Sequence, residues 1–257
     1  LSDYNVHSLR DFFSQYKTGR IPLPDKGSAV REIYDEWLLT QKAYNVVDFD
    51  DLIILPIKIF EKKPEILLNV QLRWRYIMVD EFQDTSLLQY KLVSMIASKY
   101  RNIAVVGDDD QSIYSWRGAN YQNIVNFEKD FPERKEYRLE RNYRSSGNIL
   151  SAANALIIHN KERKDKKLWT ESGDGASISI KRHTTGEEEA MWIATEIRKL
   201  MRENHYCLND FGVLVRTNSL MNTIETTFVE SQLPVCVSGG SSFFDRKEIR
   251  DMLCFLK

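Results

Sequence analysis

The stretch "RYIMVDEFQDT", Arg75 to Thr85, runs four apolar or aromatic residues into three carboxylates and an amide. A short apolar run closed by charge reads as a buried strand that ends at a polar edge. "NIAVVGDDD", Asn102 to Asp110, repeats the pattern, and between the two lies "SLLQYKLVSMIASKY", whose large residues recur at helical spacing. Strand, helix and strand in that order make a βαβ unit, and hence a parallel pair in an α/β fold. Ligands of open parallel sheets bind beyond the carboxyl ends of the strands. Asp80, Glu81 and Asp108 therefore stand where a substrate would.

Upstream, "AVREIYDEWLLTQKAY" and "DLIILPIKIF" place large residues three and four apart, and Pro64 opens a further helical stretch. Downstream, the pattern predicts strands at "YRLERN", "ASISIKRH", "FGVLVRT" and "PVCVSGG". These alternate with helices at "NILSAANALIIHN", "EEEAMWIATEIRKLMREN", "NTIETTFVES" and "RKEIRDMLCFLK". This reads as a second α/β layer, joined to the first near Phe131 and Pro132. The charge run "NKERKDKK", Asn160 to Lys167, reads as a solvated loop.

Composition narrows the class. The 257 residues are 42% hydrophobic and 28% charged, with 36 basic against 37 acidic residues and a formal net charge of -1. Such a balance offers no global attraction to a polyanion, so any nucleic-acid site must be local. No apolar run is long enough for a membrane span, so no membrane partner is expected. Cys207, Cys236 and Cys254 lack the spacing of a zinc site or disulfide framework, and the four histidines lack metalloprotease spacing. Free thiols in a reducing, cytoplasmic setting follow. The start at Leu1, with no signal-peptide pattern, reads as a piece of a longer protein.

Adjacent acids suit two tasks. Mg²⁺ takes one or two carboxylates and fills its shell with water, which suits Asp80, and a neighbouring carboxylate such as Glu81 can act on an attacking water. The same acids would also serve as caps for the helix that follows, and by themselves they do not decide between the two uses. In "GDDDQSIYSWRGAN", Gly107 to Asn120, Gln111 offers an amide, Tyr114 and Trp116 offer faces, and Arg117 offers charge. Single-stranded DNA is held by base stacking and backbone contacts of this kind.

Taken with "LERNYRSS", Leu139 to Ser146, these strings resemble the motifs of the superfamily 1 DNA helicases, the UvrD, PcrA and Rep group. The resemblance extends over nearly the whole chain, through "VVDFDDLI" upstream and "RTN", "SGG" and "FFDRKEIRD" downstream, and "GDDDQSIYSWRGA" with "SGGSSFF" looks most like the Rep branch. It implies RecA-like parallel-sheet motor domains of the P-loop NTPase type, preceded by a helical insertion segment. On that pattern residues 1–55 belong to the helical insertion, 56–134 to the later part of the first motor domain and 135–257 to the early part of the second.

The resemblance implies ATP and Mg²⁺ as cofactors. Asp80 would be the metal ligand, with Glu81 beside it as a second carboxylate and as the group acting on water. Gln111 would sense the γ-phosphate, Tyr143 would stack on adenine and Arg144 would be an arginine finger. Phe49, Tyr114, Trp116, Arg117, Arg216 and Asn218 would contact single-stranded DNA at single-strand/double-strand junctions, with 3′ to 5′ movement in repair or replication and a cytoplasmic, nucleoid-associated location. Without the resemblance, Phe49 reads as core, Tyr143 as a core or edge tyrosine and Arg144 as a surface arginine.

The phosphate-cradling pattern G-x-x-x-x-G-K-[ST] does not occur in the 257 residues. This chain alone is therefore expected neither to bind ATP tightly nor to hydrolyse it. Two alternatives stay open: a nonenzymatic DNA-binding or scaffold module with helicase ancestry, and the helicase part of a recombination nuclease.

Overall fold

The computed structural model describes residues 5–113, 118, 122–160 and 166–238. The chain forms two compact units, Leu1–Ala176 and Ser177–Lys257.

The first unit opens with α1 (Val6–Lys17) and α2 (Ala29–Ala43). Ser28 caps α2 by accepting from the Arg31 N–H, satisfying a donor the first helical turn would otherwise leave open. Leu9 and Phe13 of α1 pack on Tyr34 of α2, with Tyr16 and Trp37 at the margin. The helices α3 (Asp51–Lys62) and α4 (Pro64–Arg73) follow, the second started by a proline whose missing N–H costs nothing at that position. Buried Gln71 donates to the Met95 carbonyl at 2.9 Å and to Ser98 Oγ at 3.0 Å, tying α4 to α5 (Leu87–Ala97).

The βαβ unit lies where the sequence places it. β1 (Ile77–Val79) and β2 (Ile103–Val105) pair in parallel with Ile77 opposite Ile103 and Val79 opposite Val105. Those four side chains face a core of Phe82, Tyr90, Ala97, Phe127 and Phe131, while Met78 between them is 80% exposed. The two-residue period of a strand produces that split. Each large apolar side chain withdrawn from water contributes roughly 1.5–3 kcal/mol before entropy is counted. A reciprocal capping box between Ser86 and Gln89 starts α5. Fully buried Asn123 of α6 (Gln122–Asp130) donates to the Thr85 carbonyl and hydroxyl, at 2.8 and 3.0 Å, fastening α6 to the end of the acidic turn. The helix α7 (Gly147–Ile157) follows in the same unit.

The second unit is built on α8 (Gly186–Asn204) and α9 (Asn218–Glu230), which bury Ala194, Ile197, Phe228 and Leu233 between them. Thr185 caps α8, and Glu187, Glu188 and Glu189 complement the positive end of its dipole.

The α/β class with a parallel sheet holds, but four strands expected downstream do not form among the described residues. Residues 137–142, 176–183, 211–217 and 234–238 are outside any ladder, apart from an isolated bridge between Arg141 and Trp169. Their alternation is present in the sequence. A strand also needs a neighbour for its N–H and C=O groups and a cover for its apolar face. Here Ile180 is 90% and Leu214 99% exposed, so neither requirement is met for them. The helix expected at 246–257 and the "SGG" glycines lie outside the described residues.

Candidate functional site: the acidic ends of the parallel strands

The ends of β1 and β2 are laced together. The Val106 N–H donates to the Val79 carbonyl at 2.8 Å, and the Phe82 N–H returns to the Val106 carbonyl at 2.9 Å. Between those bonds the chain bends at Glu81, whose φ of 49° and ψ of 43° are left-handed. A non-glycine residue held there costs about 1 kcal/mol or more, and such strain gathers at functional sites. The bend leaves Asp80 and Glu81 exposed and buries Phe82 and Gln83.

Gln83 is 2% exposed and wires the two strand ends to each other. Its Nε2 donates to Glu81 Oε2 at 2.8 Å, and its Oε1 accepts from the Asp108 N–H at 2.9 Å. Asp108 Oδ2 then accepts from Gln111 Nε2 at 2.8 Å, and the Gln111 N–H donates to the Asp108 carbonyl at 2.9 Å. Glu81 and Gln111, predicted to share one site, are thereby brought into one continuous network. Gly107 makes the approach possible, because a Cβ there would lie 2.7 Å from Gln83 Oε1 and 3.2 Å from the Gln83 nitrogen.

Asp80 accepts from the Glu81 N–H through Oδ1 at 2.9 Å, and among the described residues no other bond to its carboxylate is formed. An exposed carboxylate with a spare oxygen fits a largely hydrated Mg²⁺. Asp84, close behind, has a buried Oδ1 with no hydrogen-bond partner among the described residues. Burial, and secondarily the Glu81 charge, pushes its carboxyl above the usual range. Asp108, Asp109 and Asp110 form the one group of three acids among the described residues compact enough for a metal. It does not fit a divalent ion as it stands, because the Lys166 ammonium sits among all three, 2.6 Å from Asp109, 3.3 Å from Asp110 and in close contact with Asp108. Burial opposes the charge on Asp108, yet Lys166 and Gln111 outweigh it and hold the carboxyl below its ordinary range.

Tyr143 and Arg144 sit on a turn shaped by Asn142, whose Oδ1 accepts from the Arg144 N–H at 2.9 Å and the Ser145 N–H at 2.7 Å. Asparagine favours such turns because its side chain can stand in for a backbone carbonyl. The Tyr143 ring is 78% exposed, so of its two readings, core or edge, the core one fails, and the Arg141 guanidinium covers it at 4.8 Å from the centroid. Arg141 also stacks on Trp169 and pairs with Glu171. Arg144 is exposed, with helix α7 starting just beyond it.

Phe49 is 81% exposed, so its reading as a core residue also fails. It stands on a turn pinned from both sides: Asp48 Oδ1 accepts from the Asp51 N–H at 2.9 Å, and Asp51 Oδ2 accepts from the Asp48 N–H at 3.2 Å. Lys17 of α1 reaches both carboxylates, at 2.8 and 2.6 Å, and lies over the Trp37 ring. In the second unit Arg216 and Asn218 are exposed at the start of α9. Tyr114, Trp116 and Arg117 lie outside the described residues.

No spacing rule singles out Gln83, Asn142 or Lys166. Gln83 and Asn142 lie inside the quoted motifs, but their partners are visible only in three dimensions. Lys166 belongs to a run read as solvated, and its 18% side-chain exposure corrects that reading for this residue.

A parallel βαβ unit with wired acids at its strand ends, followed by an asparagine-shaped Tyr-Arg turn, defines a section of an α/β fold of the class whose ligands bind beyond the carboxyl ends of the strands. Residues 9–132 match the family model of the UvrD/REP helicase N-terminal domain, and residues 137–257 match that of the UvrD-like helicase C-terminal domain. The chain belongs to the UvrD-like helicase family. It is 47% identical over 227 residues to the ATP-dependent DNA helicase PcrA of Leuconostoc citreum, covering 88% of this chain and 30% of that protein. It is 45% identical over 228 residues to PcrA of Staphylococcus epidermidis and 46% identical to PcrA of Staphylococcus aureus, covering 89% of this chain and 31% of each. The chain thus spans about a third of the length of these curated relatives. The family models change over between residues 132 and 137, whereas the compact units divide after Ala176. Among the described residues no helix is long and apolar enough to cross a membrane.

Proposed function

We propose that the chain is an internal section of an ATP-dependent DNA helicase that moves on single-stranded DNA and opens duplex at single-strand/double-strand junctions. The observation that carries this reading is the unbroken path from Glu81 through Gln83 and Asp108 to Gln111 across the ends of two parallel strands. Membership of the UvrD-like family supports it, as does the helicase name of its PcrA relatives.

In this reading Asp80 holds Mg²⁺, which would offset phosphate charge, while Glu81 accepts a proton from the attacking water and Gln111 contacts the γ-phosphate. Tyr143 stacks on adenine, backed by Arg141, and Arg144 is the arginine finger. Phe49, Tyr114, Trp116, Arg117, Arg216 and Asn218 contact the DNA. Residues 1–55 are assigned to a helical insertion, 56–134 to the first motor domain and 135–257 to the second. Movement from 3′ to 5′, a role in repair or replication and a cytoplasmic location complete the proposal. Lacking a G-x-x-x-x-G-K-[ST] loop, the 257 residues alone are inactive.

The test uses the full-length protein that carries this chain. Wild type should hydrolyse ATP faster when single-stranded DNA is present, and Arg144→Ala should lower the turnover by roughly 10³-fold or more. Glu81→Gln should abolish turnover while ATP still binds. Hydrolysis indifferent to DNA, or full activity in Glu81→Gln, refutes the reading.

A further inference from the structure

We propose that Lys166 is a positioning residue that gathers Asp108, Asp109 and Asp110 around one ammonium and, through Asp108, holds Gln111 in place. The role assigned to Gln111 rests on the functional reading above; the knot itself is a matter of geometry.

Three carboxylates with oxygens within 4.8 Å of one another repel unless a cation lies among them. An ammonium is a point charge with three donors, which matches three carboxylates better than a planar guanidinium would. Lys166 reaches all three, and its side chain is 18% exposed against 6% for Asp109 and 10% for Asp110, so water screens these pairs less than surface pairs. Asp108 is the hub. It binds Lys166 and the Asp110 N–H through Oδ1 and Gln111 through Oδ2, and its own N–H reaches Gln83. Removing the ammonium would drive the three carboxylates apart and release the Gln111 amide.

Lys166 also comes from a different part of the chain. It lies in the segment matched by the C-terminal family model, while the acids lie in the segment matched by the N-terminal one. The ion pairs therefore tie the phosphate-sensing loop of one family domain to the other. A shift of the Lys166 segment would be felt at Gln111.

Two measurements test this. In the 257-residue chain, Lys166→Met should speed hydrogen exchange at the amides of Asp110 and Gln111 by about tenfold, and Lys166→Arg, which keeps the charge but not the compact three-donor geometry, should restore only part of the protection. In the full-length protein, Lys166→Met should lower DNA-stimulated kcat by about tenfold with KM for ATP changed less than about twofold. The double variant with Gln111→Ala should be no slower than Gln111→Ala alone, because both substitutions remove one device. Unchanged exchange overturns the proposal. Faster exchange with unaltered turnover, or losses that multiply in the double variant, overturn the link to Gln111. An inactive wild type would instead refute the functional reading, and the exchange measurement would still decide whether Lys166 holds the loop.

Discussion

Gly107→Ala offers a direct test of how the strand ends are joined. Position 107 is not in the left-handed region, so alanine meets no backbone obstacle there, and its whole effect comes from where Cβ would go. That atom would stand 2.7 Å from Gln83 Oε1, 3.2 Å from the Gln83 nitrogen and 3.3 Å from Phe82 Cβ. All three atoms belong to the buried residues Gln83 and Phe82; the nearest is the tip of the Gln83 amide, which must move aside, while the backbone nitrogen and Phe82 Cβ behind it must each give by a few tenths of an ångström. Overpacking of this kind costs about 1–3 kcal/mol. Displacing Gln83 Oε1 also strips the Asp108 N–H of its acceptor, adding about 1–3 kcal/mol. The two together, about 2–6 kcal/mol, correspond to a fall of roughly 4–24 °C in Tm for a unit of this size. Differential scanning calorimetry of the chain would measure it. Gly27→Ala is the control: its φ of 89° imposes backbone strain, but nothing lies within 4 Å. The control should lose about 1 kcal/mol. If Gly107→Ala melted within about 2 °C of wild type, or no lower than the control, the close approach at Gln83 would not constrain the fold.

Lys17→Met leaves Asp48 and Asp51 facing each other beside Trp37 and should cost about 3 kcal/mol in urea titrations, since breaking a largely buried pair strands its charges. The pH dependence of stability follows from the direction of the shifts. Burial opposes the charges of Asp48 and Asp108, but their lysine partners hold both carboxyls low, so that contribution is present above about pH 4 and disappears as the pH falls further. Asp84, raised by burial, works weakly the other way just above that pH. Lys17 and Lys166 are raised and Tyr90 is pushed up to about 12 by burial and its 2.5 Å bond to Asp130, so stability should also fall above about pH 10. Acid and alkaline melts that stayed flat would refute the assignment. Tyr90→Phe should cost about 1.5–3 kcal/mol and remove the last phenol to ionise in an ultraviolet titration. Phe49→Ala in the full-length protein should weaken single-stranded DNA binding by about 1–3 kcal/mol, measured by fluorescence anisotropy, without changing Tm. A stability loss instead would mean that the ring packs in the core after all.

The sequence alone determined the βαβ unit, the capped helices and the acidic strand ends, because these follow from contacts between near neighbours. Helical spacing, Ser86 before Gln89 and β-branched runs closed by aspartates are all legible within a short window. Motif order also placed Asp80, Glu81 and Gln111 in one neighbourhood. Only the tertiary structure decided how they are wired. Gln83 reaches Asp108 across 25 positions and Lys166 reaches the same aspartate across 58, and a charge run carries no mark of which lysine will turn inward. The same limit explains Phe49, which reads as core until Lys17 is seen pinning its turn outward. It also explains the downstream strands, whose alternation is local but whose ladders would depend on distant partners. Near-neighbour propensity is written in the chain, whereas desolvation and charge pairing depend on which distant residues share a volume.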